Sequence, residues 1–236
     1  LPLLEQQKQP FMAYLLTTTT HNPWDLPDEH RHLTLGNSVG DRTLERYLQS
    51  VHYFDTVFGE FIDKLKESGL LDRTVIALYG DHQAYLGARP ELAHILKFPE
   101  TSQFNYLMLR KKLPFLIRLP QGQDAGIVHS PGGHLDVTPT ILSLLGIENK
   151  DMVAIGKDLT RNEDSLVVFR DGSFVDKNHF YDARFGSAAK SKCYAVSAGQ
   201  PVECGTIENL HQQALEELQV SDLIIRGDLI PALGGY

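Results

Sequence analysis

The sequence lacks several features that define common protein classes. It contains only two cysteines, so neither a scaffold held by several disulfides nor a four-cysteine zinc site can be built. No apolar run approaches the roughly 18–20 residues of a membrane-spanning helix. An initiator methionine and a secretory leader are absent, and we expect the opening LPLLEQQKQPF to be the interior of a longer polypeptide. These absences leave a globular domain as the expected class.

The charge balance is acidic, and no region is strongly basic. The sequence has 22 Lys and Arg residues against 30 Asp and Glu residues, which gives a net charge of −8. An acidic surface without a basic stripe repels a phosphate backbone, so we expect no nucleic-acid partner. With 42% hydrophobic and 22% charged residues, the chain can bury a substantial core.

The first part of the sequence has the pattern of a strand–helix–strand unit. An apolar run from Phe11 to Leu16, followed by four threonines, predicts a buried strand that ends before Pro23. Apolar residues then recur at three- and four-residue steps, which predicts a long helix with Asp41 as N-cap and Gly69 as C-cap. The continuous apolar run TVIALYG predicts a second strand, parallel to the first.

Two further segments complete a predicted α/β core. The run PFLIRLP at 114–120 predicts another strand, bounded by prolines at both ends. DVTPTILSLLGI at 136–147 predicts a helix with proline in its first turn and glycine at its end. We therefore expect residues 1–150 to form a mostly parallel central sheet flanked by helices.

The last part of the sequence predicts a small antiparallel α+β subdomain, at residues 151–236. An Asp-Gly turn between two β-prone runs at 166–175 indicates a hairpin. Apolar residues from Ile207 to Leu218 have helical spacing. Cys193 and Cys204 lie in this subdomain, and they either form one disulfide or remain two free thiols.

Two of the predicted strands end in polar side chains that could bind a ligand. Gly80-Asp81-His82 follows one strand and Thr20-His21-Asn22 follows the other. Because ligands lie beyond the carboxyl ends of parallel strands, both groups could face one cleft. Asp81 and His82 offer an anionic oxygen and a neutral nitrogen, which suits Zn²⁺ or Mn²⁺. Neither group need bind a ligand. Asp81 could instead cap a turn, and His21 could be partly buried with its hydrogen bonds made inside the protein.

Three other groups of polar residues also allow two interpretations. His134 precedes a predicted helix N-terminus, where an anion could bind, but GGHLD also suits an ordinary loop. His30 and His32 have the spacing of a metal pair, yet no third ligand is near in sequence and we expect both to be solvent-exposed. A nucleophile could lie among Thr17–Thr20, although no base is paired with them and β propensity explains the run.

Several blocks follow one another in an order that resembles a known family. They are KQPFMAYLLTTTTHNPW, the long helical segment that continues into TVIALYGDHQ, GGHLDVTPTILSLLGI, GKDL, VVFRDGSFV and SDLIIRGDL. Together they span nearly the whole chain and resemble the extracellular domain of lipoteichoic acid synthases and related phosphoglycerol transferases. These proteins belong to the sulfatase branch of the alkaline phosphatase superfamily. The resemblance implies part of a sulfatase-like α/β catalytic domain, followed by a small C-terminal subdomain.

The resemblance also implies roles for individual residues. Asp81 and His82 would ligate a divalent metal, Mn²⁺ first, with Zn²⁺ and Mg²⁺ as alternatives. His21 would contact a phosphoglycerol headgroup, and Trp24 would wall the same pocket. The family often has Gln where this sequence has His134, so His134 would contact the phosphate or act as a second metal ligand.

The same resemblance implies parts that this sequence does not contain. A metal-bound threonine nucleophile, a glutamate ligand and membrane helices would lie upstream. The expected function is transfer or hydrolysis of a phosphoglycerol lipid or another phosphate or sulfate ester, at the extracellular face of the membrane or after secretion. We expect the chain alone to bind metal weakly and to show little or no turnover. The alternatives are a non-catalytic module that binds a glycan or cell-wall polymer, and a hydrolase whose nucleophile lies within Thr17–Thr20.

Overall fold

The computed structural model describes residues 1–35, 39–86, 90–95, 97, 103–148, 155–161, 165–183 and 191–234. The chain forms two compact units, Leu1–Ala125 and Gly126–Tyr236. The domain boundary expected at residue 150 lies outside the described residues and stays a prediction. No helix in the described ranges is both long enough and apolar enough to cross a membrane.

The N-terminal unit contains one long helix and one pair of short strands. Its elements are α1 (Pro2–Glu5), α2 (Arg42–Glu67), β1 (Ile76–Tyr79), α3 (Pro90–Ile95), α4 (Gln103–Lys111) and β2 (Phe115–Arg118). Helix α2 confirms the predicted long helix: the Asp41 carboxylate accepts a hydrogen bond from the Leu44 N–H at 2.9 Å, and Gly69 follows the helix end with φ of +71°. Leu44 is fully buried and packs with Trp24 and Leu86, which anchors the start of α2.

The pairing of strands in the N-terminal unit differs from the expected parallel arrangement. Strands β1 and β2 pair antiparallel, with Ile76 opposite Arg118 and Tyr79 opposite Phe115. Residues 11–18, expected to form a buried strand parallel to β1, have no regular secondary structure and are exposed. β propensity produces a strand only where a neighbouring segment offers hydrogen bonds, and none of the described segments pairs with this run.

Within its described residues, the C-terminal unit contains a five-stranded antiparallel sheet and three α-helices. Its elements are α5 (Val137–Leu144), β3 (Val167–Val168), β4 (Phe174–Val175), β5 (His179–Asp182), β6 (Lys192–Ala195), β7 (Pro201–Val202), α6 (Glu208–Arg226) and α7 (Ile230–Gly234). The strands pair in chain order, β3-β4-β5-β6-β7. The predicted hairpin is confirmed as β3–β4, with Gly172 in its turn at a φ of +83°. The predicted helices at 136–147 and 207–218 are confirmed as α5 and α6.

One apolar cluster joins the sheet of the C-terminal unit to α6. Phe174 and Ala214 are fully shielded from solvent, and Phe174 stacks on Tyr181 with ring centroids 5.0 Å apart. Cys193, also in this cluster, is bonded to Cys204, so of the two alternatives the structure contains the disulfide. The bond ties β6 to the segment that leads into α6, which closes this unit covalently.

Candidate functional site

Asp81 and His82 lie just beyond the end of β1, where both side chains are open to solvent. The His82 N–H donates to Asp81 Oδ1 at 2.9 Å, which orients the carboxylate. His82 Nε2 lies 3.8 Å from the same oxygen. His82 Nδ1 lies 3.0 Å from the carbonyl oxygen of Gln83, so a proton on Nδ1 leaves the lone pair of Nε2 available. One carboxylate oxygen and one ring nitrogen are therefore available side by side.

His21 faces His82 from the loop that follows residues 11–18. The two ring centroids are 6.0 Å apart, and the ring planes are nearly perpendicular at 85°. His21 Nδ1 lies 2.7 Å from the carbonyl oxygen of Asn22, so Nε2 is again the ring atom that can bind a ligand. The His21 N–H donates to the Thr18 carbonyl oxygen at 3.0 Å, which forms the turn that carries the ring. The structure thus brings the predicted residues His21, Asp81 and His82 together.

Trp24 supports the His21 loop from inside the core. Its side chain is buried, and its Nε1–H donates to the Thr20 carbonyl oxygen at 2.7 Å. Its ring packs edge-on against Tyr47, with centroids 5.5 Å apart, and burial raises the pKa of Tyr47. The observed contacts anchor the backbone beside His21, and direct contact between Trp24 and a substrate stays a prediction.

A cleft of about 720 Å³ lies beside His21 and Asp81. Its polar lining includes the threonines 17–19, Asp25, His30 and Tyr53, and no Lys or Arg is among the described residues that line it. The His30 ring is half-buried against Tyr53, with centroids 4.9 Å apart, so the expectation that His30 is solvent-exposed is wrong. No local pattern predicts this contact, because Tyr53 lies far along the chain on α2.

His134 lies in the C-terminal unit, in the turn that precedes α5. Its side chain is exposed, whereas the nearby Asp136 is buried. Asp136 Oδ2 accepts from the Gly133 N–H at 2.7 Å, and Oδ1 accepts from the Lys157 N–H at 2.8 Å. Asp136 therefore fixes the turn that presents His134. The sequence pattern shows Asp136 only as the first residue of the predicted helix 136–147, because its second donor lies 21 residues away.

The same turn is closely packed against the segments that follow α5. A side chain added at Gly156 would bring its Cβ within 1.9 Å of the Leu135 carbonyl oxygen, and one at Gly132 would lie 2.5 Å from a Leu159 methyl carbon. Thr140 Oγ1 donates to the Asp136 carbonyl oxygen at 2.6 Å and accepts from the Leu159 N–H at 3.1 Å. These contacts leave little freedom for the backbone that carries His134.

The Asp81–His82 pair fits part of a divalent-metal site. An ion with bonds of about 2.0–2.2 Å to oxygen and nitrogen can bridge two atoms that are 3.8 Å apart. The carbonyl contact at His82 Nδ1 is the usual outer contact of a metal-binding histidine. However, no group of three or more His, Cys, Asp or Glu side chains able to hold an ion occurs in the described part of the chain. The pair therefore offers two ligands, which is fewer than a closed metal site needs.

The chain is similar to lipoteichoic acid synthases over nearly all its length. It is 31% identical over 232 residues to Lipoteichoic acid synthase 1 of Bacillus subtilis, covering 98% of this chain and 35% of that protein. It is 32% identical over 225 residues to Lipoteichoic acid synthase of Staphylococcus aureus, covering 95% of this chain and 34% of that protein. The chain thus spans about a third of the length of the curated relatives it matches.

Solved structures share the fold. The crystal structure of the lipoteichoic acid synthase LtaP from Listeria monocytogenes matches with a TM-score of 0.82 at 29% identity, covering 94% of this chain and 56% of that chain. A protein of the alkaline phosphatase superfamily from Vibrio parahaemolyticus matches with a TM-score of 0.61 at 20% identity, covering 92% and 50%, and shows the fold alone. The predicted α/β class with a C-terminal antiparallel sheet is confirmed.

A family profile agrees with these similarities. The profile described as Sulfatase matches residues 1–147, which include β1, β2, the cleft and the His134 turn. This chain belongs to the sulfatase family.

Proposed function

We propose that the chain is part of a metal-dependent phosphoglycerol transferase, or of a related phosphoric or sulfuric ester hydrolase. The observation that carries the proposal is the convergence of Asp81, His82 and His21 beside one cleft. Similarity to proteins named lipoteichoic acid synthases supports the phosphoglycerol substrate. Asp81 and His82 would hold the ion, Mn²⁺ first, with Zn²⁺ or Mg²⁺ as alternatives.

The charge of the cleft supports the need for a metal. A phosphate or sulfate ester is anionic, yet the described lining carries two carboxylates, Asp25, which lies 3.5 Å from Arg46, and Asp81, and it includes no Lys or Arg. Binding an anion there is unfavourable unless a cation offsets the charge. A bound divalent ion would offset charge on the transferring phosphoryl group and lower the pKa of a coordinated hydroxyl.

Three further residues would contribute to ester binding, two directly and one through the loop it supports. His21 would donate from Nε2 to an ester oxygen when protonated there, because Nδ1 faces the Asn22 carbonyl. Trp24 would act through the loop it anchors, since its indole holds the Thr20 carbonyl. His134 would contact the phosphate from the turn fixed by Asp136, or act as a metal ligand.

The nucleophile would be a threonine outside this sequence. Its alkoxide would attack phosphorus and displace the alcohol of the donor ester, and an acceptor hydroxyl or water would then take the phosphoryl group from the threonine and free its oxygen. The alternative is a nucleophile among Thr17–Thr20, of which threonines 17–19 line the cleft. No hydrogen bond from their hydroxyls to a base occurs among the described residues, which favours the upstream residue.

The expected partner is a phosphoglycerol lipid or another phosphate or sulfate ester at the extracellular face of the membrane, or outside the cell. The Cys193–Cys204 disulfide supports this location, because disulfides persist in oxidising compartments. Membrane association would come from helices outside this sequence.

Mn²⁺ binding to the 236-residue chain tests the metal assignment. We expect weak binding by electron paramagnetic resonance that is abolished in Asp81→Ala and retained in Asp25→Ala. Asp25 is a matched control, because its carboxylate lines the same cleft and is 70% exposed, against 63% for Asp81. Tight stoichiometric binding, or equal loss in both variants, would contradict a two-ligand site at Asp81 and His82.

Turnover of chromogenic phosphate and sulfate esters distinguishes a nucleophile outside the chain from one within it. We expect none from this chain with or without Mn²⁺, because the proposed nucleophile lies outside it. Metal-dependent turnover that is lost in Asp81→Ala and in one of the Thr17, Thr18 or Thr19→Ala variants would instead place the nucleophile within the chain. Specific glycerol phosphate binding that is unaffected by chelators and by Asp81→Ala would favour a non-catalytic module that binds a glycan or cell-wall polymer.

A further inference from the structure

The cleft in the N-terminal unit is lined by hydrogen-bonding side chains that the protein itself does not use. Three of them, Asn22, His30 and Tyr53, are here called the cleft wall. The amide of Asn22, the ring nitrogens of His30 and the hydroxyl of Tyr53 make no hydrogen bond to another described residue. The same holds for the hydroxyls of threonines 17–19, which also line the cleft. A ligand in the cleft therefore has several uncharged donors and acceptors to bind.

The loop that carries His30 is held in place by helix α2. The buried side chain of Gln49, on α2, binds the backbone of Leu33 twice: Oε1 accepts from the N–H at 3.0 Å, and Nε2 donates to the carbonyl oxygen at 2.8 Å. Arg31 Nε donates to the Leu26 carbonyl oxygen at 2.7 Å, which closes the same loop on itself. A wall that is fixed before a ligand arrives loses little conformational entropy on binding.

The charges of the cleft favour a neutral group at this wall. No Lys or Arg is among the described lining residues, and the nearby Arg46 is already paired with the lining carboxylate of Asp25 at 3.5 Å. A carboxylate repels an anion but accepts hydrogen bonds from hydroxyl groups. The packed rings of His30 and Tyr53, with centroids 4.9 Å apart, add apolar surface that C–H groups can contact. Hydroxyl groups and C–H faces occur together in polyhydroxylated alcohols.

We infer that the cleft wall is a subsite for a neutral polyhydroxylated group, the chemistry that glycosyl and glyceryl groups share. Asn22, His30 and Tyr53 supply its hydrogen bonds, and the two rings supply its apolar contact. The inference rests on the proposed function only in assigning this group to the alcohol portion of the ester or of its acceptor. Binding of the group itself needs no metal, because the wall does not include Asp81 or His82.

Ligand-detected NMR titration of the metal-free chain with methyl glucoside, glycerol and glycerol phosphate tests the inference. We expect saturable binding of at least one of the two neutral alcohols. Glycerol phosphate should bind more weakly, because without a metal the carboxylates of Asp25 and Asp81 repel it. Binding of the glucoside alone identifies a glycosyl source, and binding of glycerol alone identifies a glyceryl source. Failure of both alcohols to bind, or tighter binding of glycerol phosphate than of either, overturns the inference.

Variants of the wall show whether the alcohol binds there. We expect His30→Ala and Tyr53→Phe each to weaken binding by about fivefold or more, because each removes a hydrogen-bonding group. Tyr53→Phe keeps the ring that packs on His30, so its effect is separate from any loss of folding. His32→Ala is the matched control, because His32 is an exposed histidine of the same loop that does not line the cleft. Equal weakening in His32→Ala, or no weakening in either wall variant, overturns the assigned location.

Mn²⁺ binding, measured on the same proteins, separates this inference from the proposed function. Mn²⁺ binding that depends on Asp81, in a chain that binds neither alcohol, overturns the subsite and leaves the proposed metal site intact. Alcohol binding that persists in Asp81→Ala, in a chain that binds no Mn²⁺, supports the subsite and contradicts the metal assignment.

Discussion

The sheets of the two units differ in how completely the surrounding chain covers them. In the C-terminal unit five strands pair in sequence, and Phe174 and Phe180 are fully buried. In the N-terminal unit β1 and β2 contain no fully buried residue, and residues 11–18 beside them are exposed. The central strands of the C-terminal sheet are therefore covered by residues of this chain, although its edge strand β7 is exposed, whereas neither strand of the N-terminal sheet is fully covered.

The candidate ligand-binding residues are divided between the same two units. Asp81, His82 and His21 lie on the N-terminal unit, where each is solvent-exposed. His134 lies on the C-terminal unit, in a turn fixed by the buried carboxylate of Asp136. Binding residues are often exposed on loops that a rigid scaffold positions. By this criterion both are positioned: the His134 turn by the buried Asp136, and the His21 loop by Trp24, whose indole donates to the Thr20 carbonyl oxygen.

The largest expected effect is on the core of the C-terminal unit. We expect Phe174→Ala to lower the free energy of unfolding by about 3–5 kcal/mol, because a fully buried ring is replaced by a cavity. Leu15→Ala, which truncates an exposed side chain of the N-terminal unit, should change it by less than about 0.5 kcal/mol. Urea unfolding followed by circular dichroism measures both.

The single tryptophan allows unfolding of the N-terminal unit to be followed separately. Trp24 lies in the N-terminal unit, so its fluorescence reports unfolding there and serves as an internal reference. If Leu15→Ala lowered the free energy of unfolding as much as Phe174→Ala does, residues 11–18 would be packed in solution. That result would remove the contrast between the two units.

The second-largest expected effect concerns the Cys193–Cys204 disulfide of the C-terminal unit. We expect the Cys193→Ala/Cys204→Ala double variant to lose about 2–4 kcal/mol of stability, because the unfolded chain is no longer constrained by the cross-link. A reducing agent should destabilise the natural chain similarly and leave the double variant unchanged. Detection of two free thiols in the native, unreduced protein would contradict the bond.

Features set by neighbouring residues were predicted from the sequence. The Asp41 cap, the long helix α2 and the Asp-Gly hairpin turn each depend on residues a few positions apart, and all three are confirmed. The placement of Asp81 and His82 after a strand is likewise local, because Gly80-Asp81-His82 directly follows the apolar run of β1.

Features set by distant residues were not predicted. A continuous apolar run suits a parallel or an antiparallel strand, so the partner of β1 could not be read from it. The burial of His30 against Tyr53 and the clamp between Asp136 and Lys157 also join distant positions. The spacing of Cys193 and Cys204 likewise allowed either a bond or free thiols.

The smallest expected effect concerns the pH dependence of the C-terminal unit. Burial raises the pKa of Asp158, but hydrogen bonds from Ser143, Thr160 and Arg161 more than offset this, so the pKa lies below its ordinary value. Thr160 contributes through its hydroxyl at 2.7 Å and its backbone N–H at 2.9 Å. A lowered pKa stabilises the folded state above the ordinary value of 3.8, and this stability is lost as the pH falls through the folded-state pKa.

Thermal unfolding between about pH 6 and pH 2.5 measures this contribution. We expect Asp158→Asn to be less stable than the natural chain near neutral pH and to lose less stability on acidification, so that the two curves converge. Asp228→Asn is the matched control, because its exposed carboxylate makes no hydrogen bond to another described residue and asparagine tolerates its φ of +47°. Parallel curves for Asp158→Asn and the natural chain would show that the contacts at Asp158 do not favour its charged form.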